Sequence, residues 1–390
     1  MHQLKPVLLP GICALLLSSC AAESPRPLVD PAAVRFPLAE AGALDIEGTV
    51  VGQPRAKDGI IYFATREGFL TAVVAPARQV FWRFKADHPV SAGPELSEDH
   101  VLFRDDGHVL YVLDPKGALL MKRRAAGTVT TAVREHRGRI YFGTEEGRIQ
   151  ALDSGAPGGS RPAWEYEAPG PVTAGPVFAG ELVLFGTSDG RLIALDHAGQ
   201  PVWQFGGPGP ITADPAVAGE RIYFGTGDKS FFCVNATTGK KIWSRRLQGA
   251  PLHPAHVHGS RVAVAASNSV VYFLSRRGGS ILSWELVPSR VVHEPAAAGT
   301  VLIISSAAPR LAAIDLKSGK RLGEHLTSGL LSTGALWVSP LVVGFEEDGA
   351  SGRQKLVFLE RRPDPPPAFG EKQRNTTSRS GTTALKRTPR

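Results

Sequence analysis

The sequence predicts an all-β protein, an eight-bladed β-propeller of four-stranded antiparallel blades, and three observations support this. Between Asp58 and Phe345 a similar segment recurs eight times, at steps of 39 to 43 residues. Each copy contains strand-length apolar runs separated by glycine turns, and helical periodicity is missing. A repeat of about forty residues that is built from short strands is typical of a radial array of small sheets. Seven blades is the alternative that the repeats leave open.

The repeats align on the apolar centre of the second strand in each unit. The aligned residues are Phe63, Phe103, Phe142, Phe185, Phe224, Val264, Ile304 and Val343. The residues before them are also apolar, as in Ile140 and Tyr141, which predicts a strand buried on both faces between adjacent blades. The longest step, of 43 residues, contains the insertion Gly155 to Pro162, which predicts a lengthened loop.

The fourth unit shows all four strands of a predicted blade. Its strand-length runs are Val172 to Phe178, Leu182 to Gly186, Leu192 to Leu195 and Pro201 to Phe205. The pair Asp189-Gly190 is a strong hairpin signal between the second and third runs. Short runs joined by tight turns predict an antiparallel blade.

Two residue types recur at fixed places in the units. The third strand often ends in an aspartate that we expect to accept hydrogen bonds from the next turn. These aspartates are Asp114, Asp153, Asp196 and Asp315. The fourth strand carries a tryptophan in five units, which predicts a ring wedged between blades, with stacking on a substrate as the alternative. These tryptophans are Trp82, Trp164, Trp203, Trp243 and Trp284.

The eighth unit ends with a third strand, Lys355 to Glu360, and lacks a fourth. The N-terminal stretch Val34 to Ala39 is similar to the fourth strand Phe81 to Ala86, and both lead into a first strand. We therefore expect the N-terminal strand to complete the last blade. This closure would remove the free edges of the ring and lock the two ends of the fold together.

The first twenty residues predict export and lipidation. Lys5 precedes a short apolar stretch, Pro6 to Leu17, which is too short to span a bilayer as a stable helix and is typical of a secretory signal. The stretch ends in Leu-Ser-Ser-Cys, which resembles the bacterial lipobox and implies that Cys20 is lipidated after cleavage. Ala21 follows it, which by the same resemblance favours the outer membrane. An ordinary signal peptide with a chance cysteine is the alternative.

These features divide the chain into four segments. They are a lipoprotein signal peptide (1–19), a lipidated tether (20–33), the propeller (34–361) and a basic tail (362–390). The tail has too few apolar residues to offset the entropy of ordering, so we expect it to be disordered. It carries most of the net charge of +8, which suits contact with anionic lipid or cell-wall polymer, and a solvated end of no fixed role is the alternative. Export argues against nucleic acid as a partner.

Few residues are candidates for chemistry. Cys233 lies in a strand-like run and is expected to be a small buried side chain, without a disulfide partner once Cys13 and Cys20 leave or carry lipid. His253, His256 and His258 fall on the innermost strand of the sixth unit.

His256 and His258 share one face of an extended strand and could chelate a transition metal, although one strand offers too few ligands. Lining of the channel or rim is the alternative, and metal binding by these histidines stays open. The acidic segments Asp105-Asp106 and Glu346-Glu347-Asp348 are predicted to be solvated turns.

The runs Gly186 to Asp196 and Gln200 to Trp203 resemble the PQQ-like propeller repeat. The resemblance covers about Val34 to Arg361 and weakens in units two, six and seven. Quinone-dependent alcohol dehydrogenases share this repeat, and likeness to them would imply a calcium site, an aspartate base and a pair of adjacent cysteines. This sequence has no Cys-Cys pair. We therefore expect no catalytic residue, no cofactor and no enzyme activity, with a quinone-dependent dehydrogenase as a remote alternative.

The lipobox, the length and the eight repeats together resemble the BamB family of outer-membrane assembly lipoproteins. That resemblance implies a non-catalytic scaffold, anchored by lipid at the periplasmic face of the outer membrane. It also implies a monomeric propeller whose loops contact a protein partner, the outer-membrane barrel-assembly machinery. A propeller that binds or senses a cell-wall ligand is the alternative.

Overall fold

A computed structural model describes residues 38–154, 162–349 and 351–361, and these ranges contain strands without a helix. The strands of the first half are β1 Leu38–Ile46, β2 Val50–Lys57, β3 Ile60–Thr65, β4 Phe69–Val74, β5 Gln79–Lys85, β6 Glu95–Leu96, β7 Val101–Arg104, β8 Val109–Leu113, β9 Leu119–Arg124, β10 Arg134–His136, β11 Arg139–Gly143, β12 Arg148–Asp153, β13 Trp164–Glu167, β14 Val172–Ala179, β15 Leu182–Thr187, β16 Arg191–Asp196 and β17 Pro201–Gly206. The strands of the second half are β18 Ala216–Ala218, β19 Arg221–Gly225, β20 Ser230–Asn235, β21 Lys241–Arg246, β22 His256–His258, β23 Arg261–Ala265, β24 Val270–Ser275, β25 Ile281–Leu286, β26 Ala296–Ala298, β27 Val301–Ser305, β28 Arg310–Asp315, β29 Arg321–Leu326, β30 Leu330–Leu331, β31 Leu336–Val338, β32 Leu341–Glu347 and β33 Gln354–Arg361.

These strands form eight antiparallel sheets, which are the blades of a propeller. Blades 1 to 7 each consist of four consecutive strands, from β2–β5 in blade 1 to β26–β29 in blade 7. The first strands of neighbouring blades contact one another around the axis, so the fourth strands lie at the outer edge. The predicted count of eight is confirmed, and the alternative of seven is wrong.

The core consists of apolar layers between adjacent blades. All eight residues on which the repeats were aligned lie in second strands and are at most 3% exposed. One layer joins Leu184 and Leu192 of blade 4 to Ile222 and Phe224 of blade 5. Each blade therefore buries its two faces only by packing against its neighbours, as the apolar second strands predicted.

A tryptophan wedge connects each of four blades to the next. The indole Nε1 of Trp243 in blade 5 donates to the carbonyl oxygen of Arg276 in blade 6, at 3.1 Å. A Cβ on Gly279, which has a φ of +70°, would lie 2.4 Å from the indole ring, so the ring requires glycine beneath it. Trp82, Trp164 and Trp203 make the same bond to a carbonyl 33 residues further along the chain.

Trp284 is the exception, and its predicted role as a wedge is wrong. In blade 6 the wedge position belongs to Ser283, which pairs with Phe273, whereas Trp284 pairs with Tyr272. A shift of one residue sends a strand side chain to the opposite face of the sheet. Trp284 is accordingly 62% exposed.

The aspartates that end the third strands cap the following turns in three of the four predicted cases. The Asp196 carboxylate accepts the backbone N–H groups of Ala198 and Gln200, both at 2.8 Å. Asp114 and Asp315 accept equivalent backbone bonds. Asp153 instead contacts Arg139, beside the predicted insertion 155–162, of which residues 155–161 lie outside the described ranges.

The ring closes through pairing of its two ends. β1 runs antiparallel to β33, from Leu38 opposite Arg361 to Ile46 opposite Gln354. Blade 8 therefore combines β30 to β33 with β1, which confirms that an N-terminal strand completes it. The predicted end at Ala39 is too early, because the strand continues past a bulge at Glu40 to Gly42 as far as Ile46; residues 34–37 lie outside the described ranges.

We predict that Trp243→Ala lowers the free energy of unfolding by about 3–5 kcal/mol, because it empties the space between blades 5 and 6. Trp284→Ala is the matched control and should change it by less than about 0.5 kcal/mol, since that ring is mostly in solvent. Urea denaturation followed by circular dichroism measures both values. Equal losses for the two variants would contradict the assigned wedge positions.

Candidate interaction surfaces

A chain of ion pairs crosses the central channel and joins the inner ends of five blades. Arg134 contacts Glu95 at 3.3 Å and Asp214 at 2.8 Å. Arg55 contacts Glu95 at 2.9 Å and Glu294 at 3.5 Å. The chain therefore runs from blade 5 through blades 3, 2 and 1 to blade 7. Its charged side chains lie on the innermost strands or within two residues before them, and they hold the blades in their places around the axis.

The carboxylates in this chain of ion pairs differ in how far the arginines offset the cost of burying their charge. Burial disfavours the charged form of Glu95, but the guanidinium groups of Arg134 and Arg55 outweigh it and hold the pKa of Glu95 below its usual range. Burial raises the pKa of Glu294, the carboxylates of Asp214 and Glu95 add to this, and Arg55 offsets it only in part. Three carboxylates share two guanidinium groups, and Glu294 is the one whose ionised form the fold disfavours.

Of the three predicted histidines, two lie on the first strand of blade 6 and one lies just before it. His256 and His258 lie on β22, and His253 precedes it. Burial lowers the pKa of His256, and it lowers the pKa of His253 to about 4, so both imidazoles are neutral at physiological pH. The Nε2 atoms of both rings are buried and have no hydrogen-bond partner among the described residues. The described residues contain no group of three or more His, Cys, Asp or Glu side chains arranged to hold a metal ion.

The two acidic segments are solvated only in part: Asp106, Glu347 and Asp348 are exposed as predicted, whereas Asp105 and Glu346 are buried. Asp105 is fully buried and accepts bonds from the Val109 N–H, the Tyr111 hydroxyl and His88 Nδ1. It occupies the position of the turn threonine in other blades. Glu346 is 5% exposed, because β32 continues two residues beyond the predicted Phe345 and pairs with β30.

A groove of about 670 Å³ lies between blades 2 and 3, where their first and second strands turn. It is lined by Lys57, Leu96, Ser97, Glu98, Asp99, His100, Glu135, His136, Arg137 and Gly138. Glu135 accepts bonds from the Ser97 hydroxyl at 2.8 Å and contacts His100 Nδ1 at 2.6 Å. Burial raises the pKa of Glu135, but these bonds outweigh burial and lower it, so the carboxylate is charged.

A row of rings extends this groove towards blade 4. The imidazole of His136 stacks on Phe178 at 4.4 Å and on His197 at 5.4 Å between centroids. Burial and the neighbouring His197 lower the pKa of His136. Arg137 and Glu181 form an exposed ion pair at the rim. The surface thus combines rings with charges of both signs, a composition suited to contact with another protein.

The structure describes Cys233 but not Cys20. Cys233 is fully buried in β20, and burial raises the pKa of its thiol, which confirms the predicted small buried side chain. Cys20, the signal peptide, the tether and the basic tail lie outside the described ranges. Within those ranges, no helix is long and apolar enough to cross a membrane.

The closed ring, the tryptophan wedges and the aspartate-capped turns define a propeller of PQQ-like repeats. The family model described as outer membrane protein assembly factor BamB matches residues 66–206 and 196–337. The chain belongs to this family.

The chain is also similar to individual proteins. The chain is 32% identical over 157 residues to the outer membrane protein assembly factor BamB of Nitrosomonas eutropha, a match that covers 40% of this chain and 36% of that protein. The crystal structure of BamB from Moraxella catarrhalis superimposes with a TM-score of 0.69 at 18% identity, over 85% of this chain and 99% of that one.

The fold is shared more widely than the family. The computationally designed Ika8 protein gives a TM-score of 0.71 at 17% identity, over 82% of this chain and 99% of that one. Quinohemoprotein alcohol dehydrogenase from Comamonas testosteroni gives a TM-score of 0.66 at 15% identity, over 87% of this chain and 79% of that one. At these identities the likeness shows the fold alone.

We predict that two neutralising substitutions in the ion-pair chain have opposite effects. Arg134→Gln removes the only guanidinium group that pairs with Asp214 among the described residues and should lower the free energy of unfolding by about 3–5 kcal/mol. Glu294→Gln should raise it at pH 7–8, because a raised folded-state pKa means that the ionised carboxyl costs stability. Thermal unfolding of both variants from pH 4 to 8 measures the two changes in the free energy of unfolding.

The pH dependence supplies the control for this prediction. The protonated Glu294 is favoured by the fold, so its stabilising contribution is present at low pH and is lost as the pH rises through its folded-state pKa. The advantage of Glu294→Gln should therefore fade as the pH falls below that pKa. An advantage that is the same at every pH would contradict the assigned cause.

Proposed function

We propose that this protein is a non-catalytic scaffold of the outer membrane that assists the assembly of outer-membrane proteins. Lipid on Cys20 would hold it at the periplasmic face, and its loops would contact the barrel-assembly machinery. The observation that carries the proposal is the match of the BamB family model over 66–206 and 196–337. The name of the Nitrosomonas relative, an assembly factor, supports the same function.

The physical character of the ring supports a scaffold. The two ends of the ring are paired, and ion pairs join its inner ends. The loops therefore project from a rigid body. A preorganised surface loses less conformational entropy when it binds a partner. The groove between blades 2 and 3, with its rings and charges, is the surface that we assign to the protein partner.

An affinity pull-down from detergent-solubilised membranes tests the scaffold and its anchor. The tagged protein should recover the barrel-assembly machinery. Cys20→Ser should move the protein from the membrane fraction to the soluble fraction, because the lipid attachment point is lost. Cys13→Ser, in the same segment, is the control and should leave it in the membrane fraction. Recovery of cell-wall glycan without the machinery would contradict the proposal.

The same pull-down tests the groove. Arg137→Glu reverses an exposed charge at the groove rim and should reduce recovery of the machinery several-fold, since unlike charges guide and hold a protein contact. Arg246→Glu is the control, because that arginine is also exposed and ion-paired but belongs to blade 5. If both variants recover the machinery equally, a different face makes the contact.

A further inference from the structure

The hairpins that join the third and fourth strands of blades 5, 6 and 7 carry an exposed basic cluster. These hairpins lie between β20 and β21, between β24 and β25, and between β28 and β29. With the first residue of β21, they contribute a set of exposed side chains that we call the basic rim: Lys240, Lys241, Arg277, Lys317 and Lys320. The equivalent hairpins of blades 1 and 2 have one lysine or arginine each, Arg78 and Lys116, and that of blade 4 has none.

The basic rim has few carboxylates to neutralise it. In blades 2, 4 and 7 an aspartate caps the hairpin, but in blades 5 and 6 the same position is held by Asn235 and Ser275. Asn235 keeps the cap without the charge, since its Oδ1 accepts two backbone N–H groups of the turn at 3.0 and 2.9 Å. Lys240, Arg277 and Lys320 have no ion-pair partner among the described residues. Positive charge therefore accumulates along the rim of three adjacent blades.

Exposed apolar side chains lie directly beside these charges. The fourth strands of blades 5, 6 and 7 carry Ile242, Leu282 and Leu322 at their second residue, and these are 40%, 47% and 48% exposed. Blade 6 adds Trp284, which lies on the same face of β25 as Leu282 and is the one exposed tryptophan of the described chain. Lysine and arginine next to leucine and tryptophan are typical of a surface that lies in the interfacial region of a membrane.

The proposed lipid anchor is attached at the same end of the ring. In blade 8 the third strand ends at Arg361 and the fourth strand begins at Leu38, so the two ends of the described chain take the place of this hairpin. Blade 8 packs against blade 7, where Leu359 and Ile303 share an apolar layer. Residues 21–37 separate Cys20 from this point. The anchor segment therefore joins the ring one blade away from the basic rim.

We propose that the basic rim and its apolar neighbours dock on the surface of a bilayer that contains anionic phospholipid. The lysine and arginine side chains contact the headgroup phosphates, and Leu282, Trp284 and Leu322 enter the boundary between headgroups and acyl chains. A soluble polyanion would match the charges but would leave these apolar side chains in water. The contact rests on the proposed location at a membrane and goes beyond the anchor, because it fixes which edge of the ring faces the lipid. It leaves the groove between blades 2 and 3 uncovered.

The test uses residues 21–390, the proposed mature chain without its lipidated cysteine, which contains the whole closed ring. Co-sedimentation measures its binding to vesicles of phosphatidylglycerol and phosphatidylcholine in equal parts, and to vesicles of phosphatidylcholine alone. The chain should bind the anionic vesicles and not the neutral ones. Added salt should weaken the binding, because salt screens exposed charges. No binding to the anionic vesicles at low salt would overturn the proposal.

A matched pair of double variants tests the location. Arg277→Glu with Lys320→Glu reverses two charges of the basic rim and should weaken binding about tenfold or more, since each lysine or arginine near an anionic surface contributes to the attraction. Arg66→Glu with Arg124→Glu is the control, because it changes the net charge equally at exposed residues of blades 1 and 2. It should weaken binding by about twofold at most. Equal losses in the two variants, the result expected if the basic tail alone makes the contact, would overturn the proposal.

Tryptophan fluorescence tests the insertion of apolar side chains, which a contact through charge alone does not require. Anionic vesicles with brominated acyl chains quench an indole that enters the boundary region, so they should quench the fluorescence of the chain. Trp284→Phe should remove most of this quenching while binding persists. Binding with the same quenching in both chains would overturn the proposal.

Dextran sulfate, a soluble polyanion, tests the alternative occupant. Binding to it that is lost in the rim variant, together with no binding to vesicles, would assign the rim to a soluble polyanion and overturn the proposal. The assembly machinery is not used in these measurements, so their failure leaves the scaffold and its pull-down test standing.

Discussion

The pairing of β1 with β33 is the constraint on which the rest of the structure depends. It joins Leu38–Ile46 to Gln354–Arg361, at opposite ends of the described chain, and so completes blade 8. Blade 8 in turn contributes to two apolar layers, with Ile303 of blade 7 on one side and Phe63 of blade 1 on the other. An open ring would leave parts of these layers and a long strand edge in water, at a cost that burial in the closed ring avoids.

Repetition made most of this fold predictable, because forty-residue steps and buried second strands follow from the pattern alone. The errors lie where one residue departs from its unit. Trp284 shifts by one position and changes faces, and Asp105 replaces a turn threonine and becomes buried. The ion-pair chain could have been found, since Arg55, Glu95 and Arg134 recur at the repeat spacing on first strands. Which of them pair across the axis could not be predicted, because this depends on the curvature of the ring.

The surface that we propose for a protein partner is also a departure from the repeat. Side chains that recur from blade to blade pack or cap the blades, whereas the side chains that line the groove between blades 2 and 3 follow no repeat. Local exceptions in an otherwise consistent sequence are expected at functional sites. The groove combines charges of both signs with aromatic rings, and the closed ring holds these side chains in place.

Hydrogen exchange on a variant that lacks residues 38–46 tests the central role of ring closure most directly. If closure supports the whole ring, amide protection should fall in β32 and β33 and also in blades 1 and 7, which share apolar layers with blade 8. Blades 3 to 5 should lose less. Protection that falls only in β33, with blades 1 and 7 unchanged, would show that the blades are stable without closure and would contradict this account.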